Sequence, residues 1–360
     1  MTVNSMRLNS EWSSRPSDQR FLSLADLQAS VASRRQQSEV IDVAIDAMQI
    51  APTEDGQALT LRDRDGKGGL LNHWSFGQLC QRSKAPAGYL RSLPATLAAI
   101  PLQWSMESHE AGSDEGNDGK LLLLGGSNVA AVTSPTYGRI WDLDVCKAVS
   151  RAIDPSVWKV PAASYSASDP KRATTLYASD RDIFIFLVSE ATIEADGECL
   201  NRGFYVWNSE VGSSTFGIAT FTYDRICDNR IIWGQANFSE LRIRHTSGGP
   251  HRFAVQAAPQ LAAYANAGTA DTVATIKRAK AYEVAKDKAG VTAWLKAKGF
   301  TSAVAAKAYK AAETDPRGYN PRSVWGLVQG VTDVAHDIGH TDDRVSLESS
   351  AGRLLESLAA

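Results

Sequence analysis

The sequence predicts an α+β protein, with a central, mainly antiparallel sheet, flanking helices and a helical C-terminal part. Three observations predict it. Short runs rich in aromatic and β-branched residues crowd the middle of the chain, and Ala-rich stretches replace them beyond Pro259. The composition, 43% hydrophobic and 22% charged over 360 residues, is that of a chain able to bury a core. The reading divides the chain into a flexible lead-in (1–23), an α+β core (24–258) and a helical region (259–360).

The lead-in carries Ser5, Ser10, Ser13, Ser14, Pro16 and Ser17 with little periodicity. From Trp74, the residues Phe76, Leu79 and Cys80 fall at helical spacing, with Ser75 as the expected N-cap and a stop before Pro86. A short second turn, Ala87 to Leu93, closes at Pro94. Glu107 to Asp118 holds five acids, no Lys or Arg and two glycines, which reads as a solvated acidic loop. Strands are expected at Leu121–Leu124, Val129–Val132, Thr174–Ala178, Ile183–Val188, Phe204–Trp207 and Thr215–Tyr223. Ile183 to Val188 is apolar at every position, so both of its faces must be covered, by helices or by a neighbouring subunit. Helices follow over Gln260–Ala267, Thr272–Ala289 and Thr301–Ala312. Asp315 to Pro321 is a break, a further helix runs from Ser323 into Ala335, and Leu354, Leu355 and Leu358 continue the helical spacing.

Charge and motifs exclude several function classes. The net charge is −2, with 38 basic against 40 acidic residues, so the chain is not a wholly basic nucleic-acid coat. Asn4, Arg7, Glu11, Arg15, Asp18 and Arg20 interrupt the N-terminus, so no export signal is read and a cytoplasmic location is expected. No apolar run approaches the ~20 residues of a membrane span. Cys80, Cys146, Cys199 and Cys227 form no CxxC pair and are expected as buried, reduced thiols. Phosphate loops, dinucleotide fingerprints and nucleophile elbows are absent, and no cofactor is expected. His336 and His340 share a helical face, but the intervening acid is Asp337 and Gly339 weakens the helix, so no metal is assigned.

Two features point to phosphate chemistry. Around the strand expected at Arg242-Ile243-Arg244-His245, a period of two puts both arginines on one face and Ile243 and His245 on the other. A guanidinium is a planar fork suited to phosphate. Arg225 and Arg230 lie just upstream. The second feature is the window Lys277 to Lys310, where nine basic residues against two acidic leave +7, interleaved with Tyr282, Trp294, Phe300 and Tyr309. A solvated amphipathic helix pair with its aromatics in the core explains that window equally simply. A hydrolase built on Ser213 and His245 with Glu210, Asp224 or Asp228 is the enzymatic alternative, and a structural or regulatory assembly protein is the third.

Asn208-Ser209-Glu210-Val211-Gly212-Ser213-Ser214, Arg225-Ile226-Cys227-Asp228-Asn229 and Arg244-His245-Thr246 together resemble the phage/plasmid-like proteins grouped as domain of unknown function 932. Trp74 to Pro94 and Tyr137-Gly138-Arg139-Ile140-Trp141-Asp142 resemble the same family, so the likeness spans Trp74 to the C-terminal helices. Family members usually carry Asp where Glu210 stands and Gln where Asp228 stands. The resemblance implies a mobile-element protein without an assigned activity, with Asn208, Ser209, Gly212, Ser213, Cys227 and Asn229 as its motif residues. A distant similarity of such proteins to single-strand annealing recombination proteins adds the expectation of a ring-forming homo-oligomer. The resulting expectation is non-catalytic binding of single-stranded DNA. Phosphate contacts fall to Arg225, Arg230, Arg242, Arg244, Lys277, Arg278 and Lys280, stacking falls to Tyr137 or Trp207, and His245 lies within the same surface.

Overall fold

The computed structural model describes residues 16–108, 118–160, 176–224, 230–231, 240–336, 338 and 341–358. Fourteen strands among these residues form two sheets. They are β1 (Arg20–Phe21), β2 (Ser38–Ala44), β3 (Gln49–Pro52), β4 (Leu59–Arg62), β5 (Gly68–Leu71), β6 (Asp118–Leu124) and β7 (Asn128–Thr133). The rest are β8 (Trp158–Lys159), β9 (Leu176–Ala178), β10 (Ile183–Ala195), β11 (Glu198–Asn208), β12 (Phe216–Asp224), β13 (Arg230–Ile231) and β14 (Glu240–Ile243). The larger sheet runs β1-β9-β10-β11-β12-β13, with β8 on β10 and β14 on β12. The smaller runs β2-β6-β7-β5-β4-β3, and its β5–β7 pair is parallel while its other pairs are antiparallel. The fold class is therefore α+β as the sequence predicts, but its sheet is divided in two.

Ile183 to Val188 lies inside β10, which pairs with β8, β9 and β11. Ile183, Ile185 and Leu187 face a core built with α1 (Leu24–Gln36) and, after α2 (His73–Arg82), α3 (Ala87–Leu90) and α4 (Ala95–Ser108), with α5 (Asp142–Ala152). Phe184, Phe186 and Val188 face the other way, among Tyr205, Trp207, Ala219 and Phe221. Both faces of the strand are covered within one chain, so its apolar run needs no subunit contact.

The smaller sheet explains the run Leu121 to Leu124 by the same alternation. Leu121 and Leu123 pack with Phe76, Leu79, Leu102 and Met106 of α2 and α4. Leu122 faces Ala130, Ala131, Val211, Trp74 and Trp141, where the two sheets meet. The α2 cap is Asn72 rather than Ser75: the Asn72 side chain accepts from the Ser75 amide at 2.8 Å, and the Ser75 hydroxyl accepts from the Asn72 amide at 3.0 Å. This reciprocal capping box starts the helix one residue before Trp74.

Beyond β14 come α6 (Gly249–Arg252), one π-helical turn (Phe253–Ala257) and α7 (Ala258–Ala265). Pro259 has no N–H to donate, which accounts for the irregular turn beside it. Leu261 and Tyr264 of α7 pack into the core of the larger sheet. The remaining helices, α8 (Ala270–Ala281), α9 (Lys288–Ala297), α10 (Ser302–Thr314), α11 (Val324–His336) and α12 (Thr341–Glu356), surround Ile193, Ala195 and Leu200 at the far end of the β10–β11 hairpin. The single stretch expected over Thr272–Ala289 is broken after Ala281, because Tyr282 is extended and Glu283 bridges to Ser323. No helix among the described residues is long and apolar enough to cross a membrane.

Candidate functional site

One face of the larger sheet is a band of stacked rings. Tyr177 stacks on Phe184 (5.3 Å between centroids), Phe184 on Tyr205 (5.8 Å) and Tyr205 on Trp207 (5.5 Å), so the rings cross β9, β10 and β11. Two glycines let them lie flat. A Cβ at Gly217, the cross-strand partner of Trp207, would fall 2.0 Å from the indole. A Cβ at Gly203, opposite Phe221, would fall 2.1 Å from that ring. Among the described residues β14 pairs with β12 alone and so forms an edge there. It sets the Arg242 guanidinium 5.4 Å from the Trp207 ring centroid. Ile243 is buried against Phe216 on the opposite face, and Arg242 and Arg244 are exposed. Trp207 itself is half-buried.

A second constellation joins the sheets. Residues 137–141 lead from a bridge between Tyr137 and Thr246 to Trp141, whose extended backbone precedes α5. Gly138 is required there, since a Cβ would fall 1.9 Å from the Thr246 carbonyl oxygen. Tyr137, Arg139 and Trp141, alternate residues of this segment, take part in a column of cations and rings. The Arg35 guanidinium lies 3.8 Å from the Trp141 ring, Arg139 lies 5.5 Å from Trp141 and 5.1 Å from Tyr137, and Tyr137 stacks on His245 at 5.2 Å. On the other side, Asn208 Nδ2 donates to the Ile140 carbonyl (2.9 Å) and to Asp142 Oδ1 (2.7 Å). Glu210 Oε1 accepts the Asp142 amide at 2.8 Å, and Arg139 donates to the Glu210 carbonyl. Arg34 bridges the two acids: it ion-pairs with Asp142, and its Nε lies 3.7 Å from Glu210 Oε2. Burial, then the neighbouring Glu210 carboxylate, raise the Asp142 pKa, against the opposing pull of Arg34 and Asn208.

The loop after β11 is bound just as fully. The Val211 carbonyl accepts from Trp74 Nε1 (2.9 Å) and Gln78 Nε2 (2.7 Å) of α2. Ser209 Oγ donates to the Arg181 carbonyl at 2.5 Å, and Ser213 Oγ reaches the same carbonyl at 3.0 Å and Ser209 Oγ at 2.9 Å. Gly212 supplies the positive φ of +82° that the turn needs. The hydrogen-bonding side chains of Asn208 to Ser213 are therefore directed at backbone, at one another and, for Asn208 and Glu210, at Asp142 and Arg34. No hydrogen bond joins Ser213 to His245. Desolvation pushes the imidazole down to about 4, and its Nδ1 faces the Ile140 amide at 3.5 Å.

The other sequence-derived residues are dispersed. Lys277 and Arg278 are exposed on α8. Lys280 turns inward and pairs with Glu198 at 2.6 Å, and Tyr319 donates to the other oxygen of that carboxylate at 2.8 Å. Of the interleaved aromatics, Phe300 and Tyr309 are buried in the core of the C-terminal helices, Trp294 packs against it, and Tyr282 is exposed. Arg230 lies in β13; Arg225, Cys227, Asn229, Asp228 and His340 lie outside the described residues. Cys80 and Cys146 are buried, but Cys199, expected to be buried, is exposed. Its position between inward-facing Glu198 and Leu200 turns it outward. No group of three or more His, Cys, Asp or Glu that could hold a metal ion occurs among the described residues.

No protein-family model, curated protein or solved structure matches the chain. Arg34 had no signal in the sequence, because its partners lie more than 100 residues away. Asp142 and Arg139 were visible only as members of the Tyr137 to Asp142 motif.

Proposed function

We propose that this protein binds single-stranded nucleic acid, DNA in the first instance, without chemistry, and that it is a distant member of the phage/plasmid-like family its motifs resemble. The observation that supports this most is the pairing of half-buried Trp207 with Arg242 at an exposed sheet edge, with Arg244 beside it. Ring and guanidinium together offer a base a stacking surface and a phosphate a fork, the combination used where strands are held without reading sequence. Fluorescence anisotropy with a labelled oligothymidine tests it. Trp207→Ala should weaken binding by about 1–3 kcal/mol if one base stacks there. Arg242→Gln with Arg244→Gln should reduce the log–log salt slope by about 1.4, at roughly 0.7 per lost phosphate contact. Unchanged affinity and slope in both variants, or no binding at low salt by the parent protein, would overturn it.

The bound state of Asn208 to Ser213 favours a second reading, a structural or regulatory assembly protein, because those groups are already engaged within the fold. Sedimentation at micromolar concentration with and without oligonucleotide separates the two: DNA binding, by a monomer or a ring, fits the first reading, and an oligomer that binds none fits the second.

A further inference from the structure

A cavity of about 220 Å³ opens on the smaller sheet, lined in part by the Trp74 to Pro94 segment and away from the Trp207–Arg242 edge. Leu59 of β4, Leu71 of β5, Phe76 of α2 and Leu90 of α3 form apolar walls, all buried. No Asp or Glu lines it, and its one fixed charge is Arg91. Arg91 is held in a prepared seat: Nη2 donates to the His73 carbonyl at 3.0 Å, and the guanidinium lies 5.4 Å from the Phe76 ring. Gly77 makes room for it, since a Cβ there would fall 2.7 Å from Nη2. Arg91 is exposed and makes no ion pair with any described residue, so a cation with a free edge stands at the mouth of a cavity whose leucines and Phe76 are joined by the polar Gln57, Asn72 and His73.

We propose that this cavity binds a small monocarboxylate with a compact apolar body, its carboxylate on Arg91 and its body against Phe76 and the leucines. Size and charge select this class. Benzene fills an enclosed cavity of about 150 Å³, so by size alone the space of about 220 Å³, open on one side, holds a ring that also carries a carboxylate. The lone guanidinium sets the sign and favours a planar, two-oxygen anion. This site is independent of the nucleic-acid reading.

The probe is benzoate, titrated against the full chain by saturation-transfer NMR, with benzyl alcohol and benzylamine as isosteres. Benzoate should bind saturably and at least about tenfold more tightly than either, the range expected for one charge-assisted contact. Arg91→Gln should bring benzoate down to the level of the alcohol. Gly77→Ala is the sharper variant. Its methyl displaces only the end of a flexible side chain, and alanine is the better helix former, so the melting temperature should not fall while benzoate affinity does. Absence of saturable binding by about 10 mM, equal affinity for the alcohol, or unchanged affinity in either variant would overturn the proposal.

Discussion

Removing Arg34 tests the joint between the sheets, because one side chain there holds two buried acids. The side chains of Asp142 and Glu210 are 2% and 7% exposed, whereas Arg34 is 20% exposed and also donates to the Ser179 carbonyl. Breaking a buried pair by deleting one partner costs about 3–5 kcal/mol, and the partial exposure of Arg34 places Arg34→Ala near the lower end, about 3 kcal/mol. Asp142→Asn keeps the acceptor for Asn208 and removes one charge, so the double variant should recover at least about 1 kcal/mol relative to simple addition. The pH dependence has a defined sign. Asp142 is raised above its ordinary value of 3.8, so the folded protein holds a proton that the unfolded chain has released, and this contribution to stability falls as pH rises through the folded value. Arg34 opposes the rise, so its removal extends the fall to higher pH. The deficit of Arg34→Ala should thus be level between pH 5 and 7 and widen only above the parent's folded value of about 8, by at most about 1.4 kcal/mol per unit. Urea unfolding followed by circular dichroism at pH 5, 7, 9 and 10 reads both effects. A deficit below about 1 kcal/mol at every pH, or one that shrinks as pH rises, would refute the assignment of Arg34 as the counter-ion of the pair.

Further outcomes follow from single contacts. Gly203→Ala should destabilise by about 1–3 kcal/mol in urea titrations, since the fully buried Phe221 ring cannot move away from the new methyl. Gly217→Ala should cost less, because half-buried Trp207 can lift, and it should weaken oligonucleotide binding on the proposed edge. Tyr264→Phe should cost about 1–2 kcal/mol, as its buried hydroxyl lies 3.0 Å and 3.1 Å from the Gly203 and Phe221 carbonyls. In native protein at pH 8, Cys199→Ser should remove one equivalent of fast reaction with a disulfide reagent. Cys80 and Cys146 should wait for unfolding, since burial pushes both thiols up, Cys80 to about 11.

The central strands were legible because burial on both faces leaves apolar runs, and the observed β6, β7, β10, β11 and β12 contain or closely track the expected segments. Their ends were not, because Ser189 to Ala195 and Glu198 to Arg202 mix polar residues into strands held by a long hairpin and its bulge. The division into two sheets was also invisible. Nothing local in Leu121 to Leu124 distinguishes a strand buried between helices from one whose second face meets another sheet. At the edge, the period of two correctly sorted Arg242 and Arg244 from Ile243, because a four-residue strand with one apolar face has one workable register. Composition was the weaker guide. The window Lys277 to Lys310 paired lysines with aromatics in the sequence, but helical geometry sends Tyr309 to the core and the connection between α9 and α10 buries Phe300 there too.

That separation bears on where a strand of nucleic acid would lie. Stacking and phosphate contact have to be offered on one surface, within the span of a nucleotide. On α8 and the helices after it, the charges and rings part company: Lys280 is bound to Glu198, Phe300 and Tyr309 are buried, and Lys277 and Arg278 are left as exposed charges. At β14 they converge, Trp207 and Arg242 in contact and Arg244 two residues on. The two surfaces therefore make different contributions under the proposed function. Neutralising Lys277 and Arg278 should lower the salt slope with little effect on the salt-independent part of binding, whereas Trp207→Ala should do the reverse. Similar effects of the two changes on both quantities would mean that charge and ring act at one place, and that the edge is not the stacking surface.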